Sequence, residues 1–324
     1  MRFALSTNWN SDRLSDGAAL ADEALALGFD ALELSFRTQP EHLPGIRSRL
    51  DGMPVDSVHA YCPVPLGAPS GHPELHQLAD RDETERALAR LLMKQTIACA
   101  ADLGAKAVVT HAGYVDLDGL FVNCSSDVLR RLLKGPDGKA DAARPAYRAH
   151  LAKALKRRAA RGRKLLDVFS RELDALIPDL EKARLTLALE NLPRLEGFPN
   201  ADEGEALMKR FAGAPVRLWF DTGHARVREC HLWSASATEI ATRLAPHICG
   251  MHLNDVRDFH DDHRQPGWGG VDFAALKPLA ARDLLNGHRD RLFRQRLHED
   301  SGQPQERPAE YPRQHAGGRQ YLRW

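Results

Sequence analysis

"VRLWFDTGHARV", residues 216–227, decides how this chain is read. Val216, Leu218, Trp219 and Phe220 make a short apolar run of the kind that forms a buried strand. The run ends on Asp221, with His224 three residues further on and Gly223 between them. A strand built only for packing has no use for a carboxylate and an imidazole at its tip. The question is whether other strands end the same way.

Short apolar runs recur at 2–6, 30–36, 55–61, 105–113, 185–191, 216–221 and 248–256. Segments of helical spacing lie between them, as in "LADEALALG" (20–28) and "ALARLLMKQTIACAADLG" (87–104), each closed by a glycine. Ser15 or Asp16 caps the first helix. Strands alternating with helices pair in parallel through right-handed crossovers. The expected fold class is therefore α/β, a (β/α)8 TIM barrel, with a doubly wound sheet as the competing closure. No G-x-G-x-x-G follows the first strand, which weakens the dinucleotide-binding form of that competitor.

Two segments break the rhythm. After the fourth strand an insertion runs over about 114–164, and residues 130–164 hold thirteen Lys or Arg against Asp137 and Asp141. It reads as a basic, mostly helical excursion that is either solvated or an electropositive flap over a phosphate-bearing ligand. The second is the tail, 284–324, with eight arginines, no lysine and no run of four apolar residues. The eighth strand and helix belong here and have no counterpart. A frameshifted or divergent end, or a disordered natural tail, is expected in their place, with the barrel confined to 1–283.

The whole chain of 324 residues is 43% hydrophobic and 27% charged, with formal net charge +1, the composition of a globular protein without a global polyanion-binding charge. Five scattered cysteines give no disulfide framework and suit a reducing compartment. No stretch approaches a membrane span of about 18 apolar residues. Cytoplasmic localisation without a membrane partner is the expectation, and a homo-oligomer is compatible with it.

The strand ends answer the opening question. His59 falls near the end of the third run and His111 at the end of the fourth, while Glu190 closes the fifth in "LALEN". Asp221 and His224 close the sixth, His252 closes the seventh, and the loop after it adds Asp261 and His263. In a parallel barrel every strand's C-terminal end opens on one face, so these residues converge. Imidazole nitrogens and carboxylate oxygens are ligands for Zn, Mn, Co, Fe or Mg. Without a cation, buried carboxylates would repel one another at a severe desolvation cost. Singly, each of these residues also reads as a hydrogen-bonded rim residue; the recurrence points to a divalent metal site. Glu33 faces the mouth to bind a hydroxyl, or is a buried structural carboxylate. Trp9 walls the pocket and stacks on a sugar, or packs. Arg257 clamps a phosphate or makes a rim salt bridge. "PGWGG" (266–270) is a turn into a helix near Asp272.

"SVHAY", "VVTHAG", "LALEN", "FDTGHA", "MHLND" and "DDHRQPGWGG" resemble the signature of the xylose isomerase-like barrel superfamily over about residues 1–283. That superfamily holds sugar-phosphate isomerases and epimerases as well as endonuclease IV. The isomerase branch implies one divalent metal, with Glu190, Asp221 and His252 matching its ligands. Glu190 would then also be an acid–base group, and His224 would contact substrate or help orient the metal, the reaction running on a small sugar or sugar phosphate through an enediolate. The endonuclease IV branch implies three zinc ions. There His59, His111, Glu190, Asp221, His224, His252, Asp261 and His263 match eight of nine ligands, and nucleic acid is the partner. No residue matches the final Glu that both branches take from the eighth strand. A non-catalytic sugar-binding barrel is the third reading.

Overall fold

The computed structural model describes residues 3–68, 70–118, 125–135 and 138–280. Seven parallel strands form the main sheet: β1 (Ala4–Ser6), β2 (Ala31–Leu34), β3 (Val55–His59), β4 (Ala107–Thr110), β6 (Thr186–Glu190), β8 (Val216–Asp221) and β9 (Ile248–His252), hydrogen-bonded in that order. A separate antiparallel pair joins β5 (Gly113–Tyr114) to β7 (Gly197–Phe198), and sequence reading does not separate it from the loops. Helices α1 (Gly17–Ala26), α2 (His42–Arg47), α3 (Glu83–Asp102), α4 (Ser126–Leu133), α5 (Pro145–Ala183), α6 (Ala201–Arg210), α7 (Thr222–Cys230), α8 (Ala237–Leu244) and α9 (Phe273–Ala280) fill the connections. Asp16 caps α1, its side chain accepting the Ala18 N–H. The fold is the α/β barrel architecture, and the tail at 284–324 lies outside the described residues. Among those residues no helix is long and apolar enough to cross a membrane, and Cys62, Cys99, Cys230 and Cys249 are free thiols.

Apart from the half-buried β1, the strands are largely buried on both faces, as apolar runs in a parallel sheet must be. Their outward side chains, Val108, Leu187, Leu189, Leu218 and Phe220 among them, join the helices in the main core. Ala107, Val109, Ala188, Trp219 and Cys249 form a second, smaller cluster with Phe3 and Ala4 against it, which is the barrel interior. Trp219 supplies most of that volume, and Gly250 is where it fits: a Cβ there would stand 1.9 Å from the indole ring.

Two register shifts put the polar residues on this inner side. Leu32 pairs with Val55 but Glu33 pairs with Ser57, so Asp56 is an extra residue in β3. Leu218 pairs with Ile248 but Trp219 pairs with Gly250, so Cys249 is an extra residue in β9. A one-residue slip exchanges the faces of everything beyond it. The bulges therefore bring Ser57 and His59 into phase with Glu33, and His252 into phase with Asp221. Sequence alternation alone does not predict this phasing.

The basic segment ends inside a helix and not at its end. It runs over α4 and the first half of α5, and α5 continues for 39 residues, about 58 Å, to Ala183. Its second half packs on α3 through Glu172, which accepts from Arg86 at 3.1 Å and also binds Arg90, and through Lys94–Asp179 at 2.9 Å. Lys153, Lys156 and Arg163 are exposed, whereas Arg158 is buried.

His231, which follows the last residue of α7, ties α5 to the mouth. Tyr147 of α5 donates its hydroxyl to the His231 carbonyl at 2.6 Å, and His231 Nε2–H donates to the Phe259 carbonyl at 3.1 Å. Burial pushes the His231 pKa from 6.5 down to about 4. The proton therefore prefers the unfolded chain, and stability that is whole above about pH 6.5 is lost as pH falls toward 4, by up to ~3 kcal/mol. Between those limits the unfolding free energy of the wild type is expected to fall more steeply than that of His231→Phe. Parallel slopes in denaturant titrations at several pH values would remove this assignment.

Candidate metal centre

The mouth is built from strand ends. His59, Glu190, Asp221 and His252 are the last residues of β3, β6, β8 and β9, and His111 follows β4 directly. His224 stands in the first turn of α7, where Asp221 caps the helix by accepting the His224 N–H at 2.7 Å. That cap is why the two residues are three apart. Gly223 lies between them because Asn254 crosses there, and a Cβ would meet its Oδ1 at 1.8 Å. Asn254 Nδ2 in turn donates to Asp221 Oδ2 at 2.7 Å. Asn191 clamps the Asp221 backbone, accepting from its N–H at 2.8 Å and donating to its carbonyl at 3.0 Å.

Glu190 is the centre of the cluster and is 1% exposed. Its Oε2 lies 3.0 Å from His59 Nε2 and 3.3 Å from His111 Nε2. Its Oε1 lies 3.1 Å from His252 Nδ1 and 3.3 Å from His224 Nδ1. Asp221 Oδ2 is 3.6 Å from His252 Nδ1, and Asp261 Oδ2 is 3.4 Å from His224 Nε2. His263 Nδ1 is 3.4 Å from Asp261 Oδ1, with its side chain 58% exposed. Three donor sets result: His59, His111 and Glu190; Glu190, Asp221 and His252; Asp221, His224 and His263, the donors in each lying within 4.8 Å of one another.

The electrostatics demand positive charge. Burial pushes the Glu190 carboxyl up, but His252 and His111 outweigh it and hold it well below the usual range. Burial pushes His252 down, and Glu33 and Glu190 outweigh that to raise it well above ordinary imidazole. His224 is raised likewise, burial being overcome by Asp221 and Asp261. Carboxylates in this setting keep their charge only beside protonated imidazoles or a cation.

The chemistry of the donor set fits a divalent metal. Four imidazoles each spend one nitrogen on an acceptor: His59 Nδ1 on the Ala60 carbonyl at 3.1 Å, His111 Nδ1 on Glu74 at 3.2 Å, His224 Nδ1 on the Asn191 carbonyl at 2.8 Å, and His252 Nε2 on Glu33 at 3.1 Å. For His59, His111 and His252 the other nitrogen faces Glu190; for His224 it faces Asp261. A ligating histidine has one nitrogen pinned and one free for the metal.

Of the remaining sequence candidates, Glu33 is 2% exposed under His252, accepting the Ser57 hydroxyl at 2.8 Å, and does not open to the mouth. Trp9 sits in a 3₁₀ turn after β1, 56% exposed, with the Arg13 guanidinium 4.9 Å from its ring centre. Arg257 is an exposed loop residue whose N–H donates to Asp262 at 3.0 Å.

Glu74 carries no signal in the sequence, because it lies in an aperiodic loop; it binds His111 and takes the Tyr114 hydroxyl. Nor does Asp255, in "HLND". Fully buried, its carboxylate accepts the N–H groups of Val256, Gly267, Gly269 and Val271 at 2.8–3.0 Å, holding the loop that carries Asp261 and His263. Gly269 is required there, since a Cβ would stand 2.4 Å from Asp255 Oδ1. Asp255→Ala strands these donors and is expected to cost about 3 kcal/mol. Chemical denaturation checks this, and a wild-type midpoint would show the loop is held without it.

Fold and site together define a parallel α/β barrel with a histidine–carboxylate centre at the C-terminal ends of its strands. The chain belongs to the xylose isomerase-like TIM barrel family, whose profile matches residues 21–284. No curated protein matches it. Among solved structures it is similar to a 3-keto-D-glucoside 4-epimerase from E. coli in the apo form, at 16% identity over 90% of each chain and a TM-score of 0.57. An L-ribulose 3-epimerase is similar at 19% identity over 90% of this chain and 80% of that one, with TM-score 0.57. A Thermus thermophilus protein soaked with ZnCl2 is similar at 21% identity over 89% of this chain and 91% of that one, with TM-score 0.54. At these identities the likeness establishes the fold.

Proposed function

We propose that this chain is a divalent-metal-dependent sugar or sugar-phosphate isomerase or epimerase that moves a proton between adjacent carbons. The observation that carries the reading is the convergence of Glu190, Asp221 and His252 from three neighbouring strands on one point at the barrel mouth. Two of the similar structures named above are sugar epimerases. Glu190, Asp221 and His252 would hold Zn, Mn, Co or Mg. The bound cation would polarise a carbonyl and its neighbouring hydroxyl. Glu190 is the proton-transferring carboxylate, buried and held anionic by His252 and His111. His224 orients the substrate from the first turn of α7. Trp9 and Arg257 flank the opening as sugar- and phosphate-facing residues.

A second reading, a zinc phosphodiesterase of the endonuclease IV kind, is favoured by one observation: two further donor sets surround the first. Elemental analysis of chelator-free protein separates the two, one equivalent against three. Deuterium uptake from solvent into a ketose, followed by mass spectrometry, is the expected result for the isomerase. Nicking of abasic-site DNA without exchange would transfer the assignment to the phosphodiesterase. A barrel that does neither is a sugar-binding protein.

A further inference from the structure

Arg228, on α7, is 8% exposed and makes no ion pair among the described residues. The two carboxylates whose charge it feels, Glu203 and Glu196, are already held by other groups. Arg158 binds both Glu203 oxygens at 2.6 and 2.7 Å, and Glu196 accepts the Ser126 N–H at 2.7 Å together with the Ser126 hydroxyl. Arg228 Nη1 donates to the Leu192 carbonyl at 3.4 Å and to the Arg194 carbonyl; Nε and Nη2 have no hydrogen-bond partner among the described residues. Burial, with Arg158 adding to it, pushes the Arg228 pKa down to about 10. A buried cation without a counter-charge is costly, and the group that best matches two free guanidinium donors is a carboxylate held by both.

The same residue lines a cavity of about 260 Å³ between helices α6, α7 and α8 and the outer side of the sheet. Leu192, Trp233, Ile240 and Leu244 give the cavity apolar walls. Arg243 also lines it, but its guanidinium is tied to Asp202 at 2.6 Å. That leaves Arg228 as the cation without a partner. An apolar cavity of about 150 Å³ holds a benzene ring, so this one has room for an aromatic ring or a short aliphatic chain with a head group.

We propose that this cavity binds a small carboxylic acid, with its apolar body against Trp233, Ile240 and Leu244 and its carboxylate on the Arg228 guanidinium. The site lies outside the sheet, apart from the metal centre at the mouth, and the isomerase reading makes no use of it.

The test is isothermal titration calorimetry of the full chain with phenylacetate, and with phenylacetamide as its neutral counterpart. Phenylacetate is expected to bind about 10–100-fold more tightly than the amide, the range for hydrogen bonds to a charged group. Arg228→Met keeps an unbranched stem and removes the charge; it is expected to abolish that difference. Ala201→Phe fills the cavity from the first turn of α6 and leaves Arg228 in place. It is expected to weaken both ligands at least ~10-fold, and it decides the matter if the methionine variant does not fold. Equal affinity for acid and amide, or undiminished phenylacetate binding in Arg228→Met, overturns the recognition by Arg228. Undiminished binding in Ala201→Phe moves the acid to the metal centre and overturns the site. A wild-type chain that does not bind phenylacetate overturns it as well, and all of these outcomes leave the isomerase reading untouched.

Discussion

A Glu190→Gln variant is expected to keep the barrel and lose the metal centre, with elemental analysis falling below a tenth of the wild-type metal and turnover dropping at least ~100-fold. Glu190 serves two of the three donor sets, and its oxygens lie 3.0–3.3 Å from four imidazoles. Glutamine has nearly the same shape, so the packing around a side chain that is 1% exposed is preserved. It replaces one ligand oxygen with an amide nitrogen that cannot bind a cation, and it removes the charge that the histidines surround. If Glu190 also transfers the proton, general acid–base catalysis worth ~10²–10⁴ in rate goes with it. A folded variant retaining metal and turnover would move the active centre away from Glu190. Retained metal with lost turnover would separate the two roles and leave Glu190 as the base alone.

The barrel and the histidine–carboxylate cluster at its mouth were legible for one reason. Each residue of the cluster ends an apolar run or follows one closely, and a parallel sheet places every such end on the same face. Asp221 and His224 read correctly as neighbours because the spacing of a helix cap is local. What stayed hidden depends on partners far along the chain. Glu33 reads equally as a mouth residue or a buried carboxylate until His252, 219 positions away, is seen to cover it. Asp255 carries no sequence mark of its four backbone donors, which lie up to sixteen residues away and fold back over it. The extra residues Asp56 and Cys249 leave no mark on composition, although they decide which face His59 and His252 occupy. The basic segment misleads because charge counting treats every arginine as exposed. Its exposed members, Lys153 and Lys156, fit that view, and Arg158 does not.

Arg158→Ala is therefore expected to cost about 3–5 kcal/mol, the range for breaking one side of a buried ion pair, while Lys156→Ala on the same helix changes stability by less than ~0.5 kcal/mol. Arg158 is 2% exposed. Its two terminal nitrogens donate to both Glu203 oxygens at 2.6 and 2.7 Å, and its remaining donors reach the Leu195 and Gly197 carbonyls at 3.1 and 2.7 Å. Glu203 also closes the capping box of α6, accepting the Asn200 N–H at 2.8 Å. One turn further along α5, Gly162 leaves the room this pair needs, since a Cβ would stand 1.9 Å from Glu203 Oε1. Removing the guanidinium strands a buried carboxylate and two carbonyls at the junction of α5, α6 and β7. Removing both charges should cost much less, because a well-packed apolar pair is often as stable as a buried ion pair. The expected order of denaturation midpoints is wild type, then Arg158→Met with Glu203→Leu, then Arg158→Ala alone. Should Arg158→Ala unfold with Lys156→Ala at the wild-type midpoint, the pair contributes nothing net, and α5 is held to the barrel by Glu172 and the apolar seam against α3.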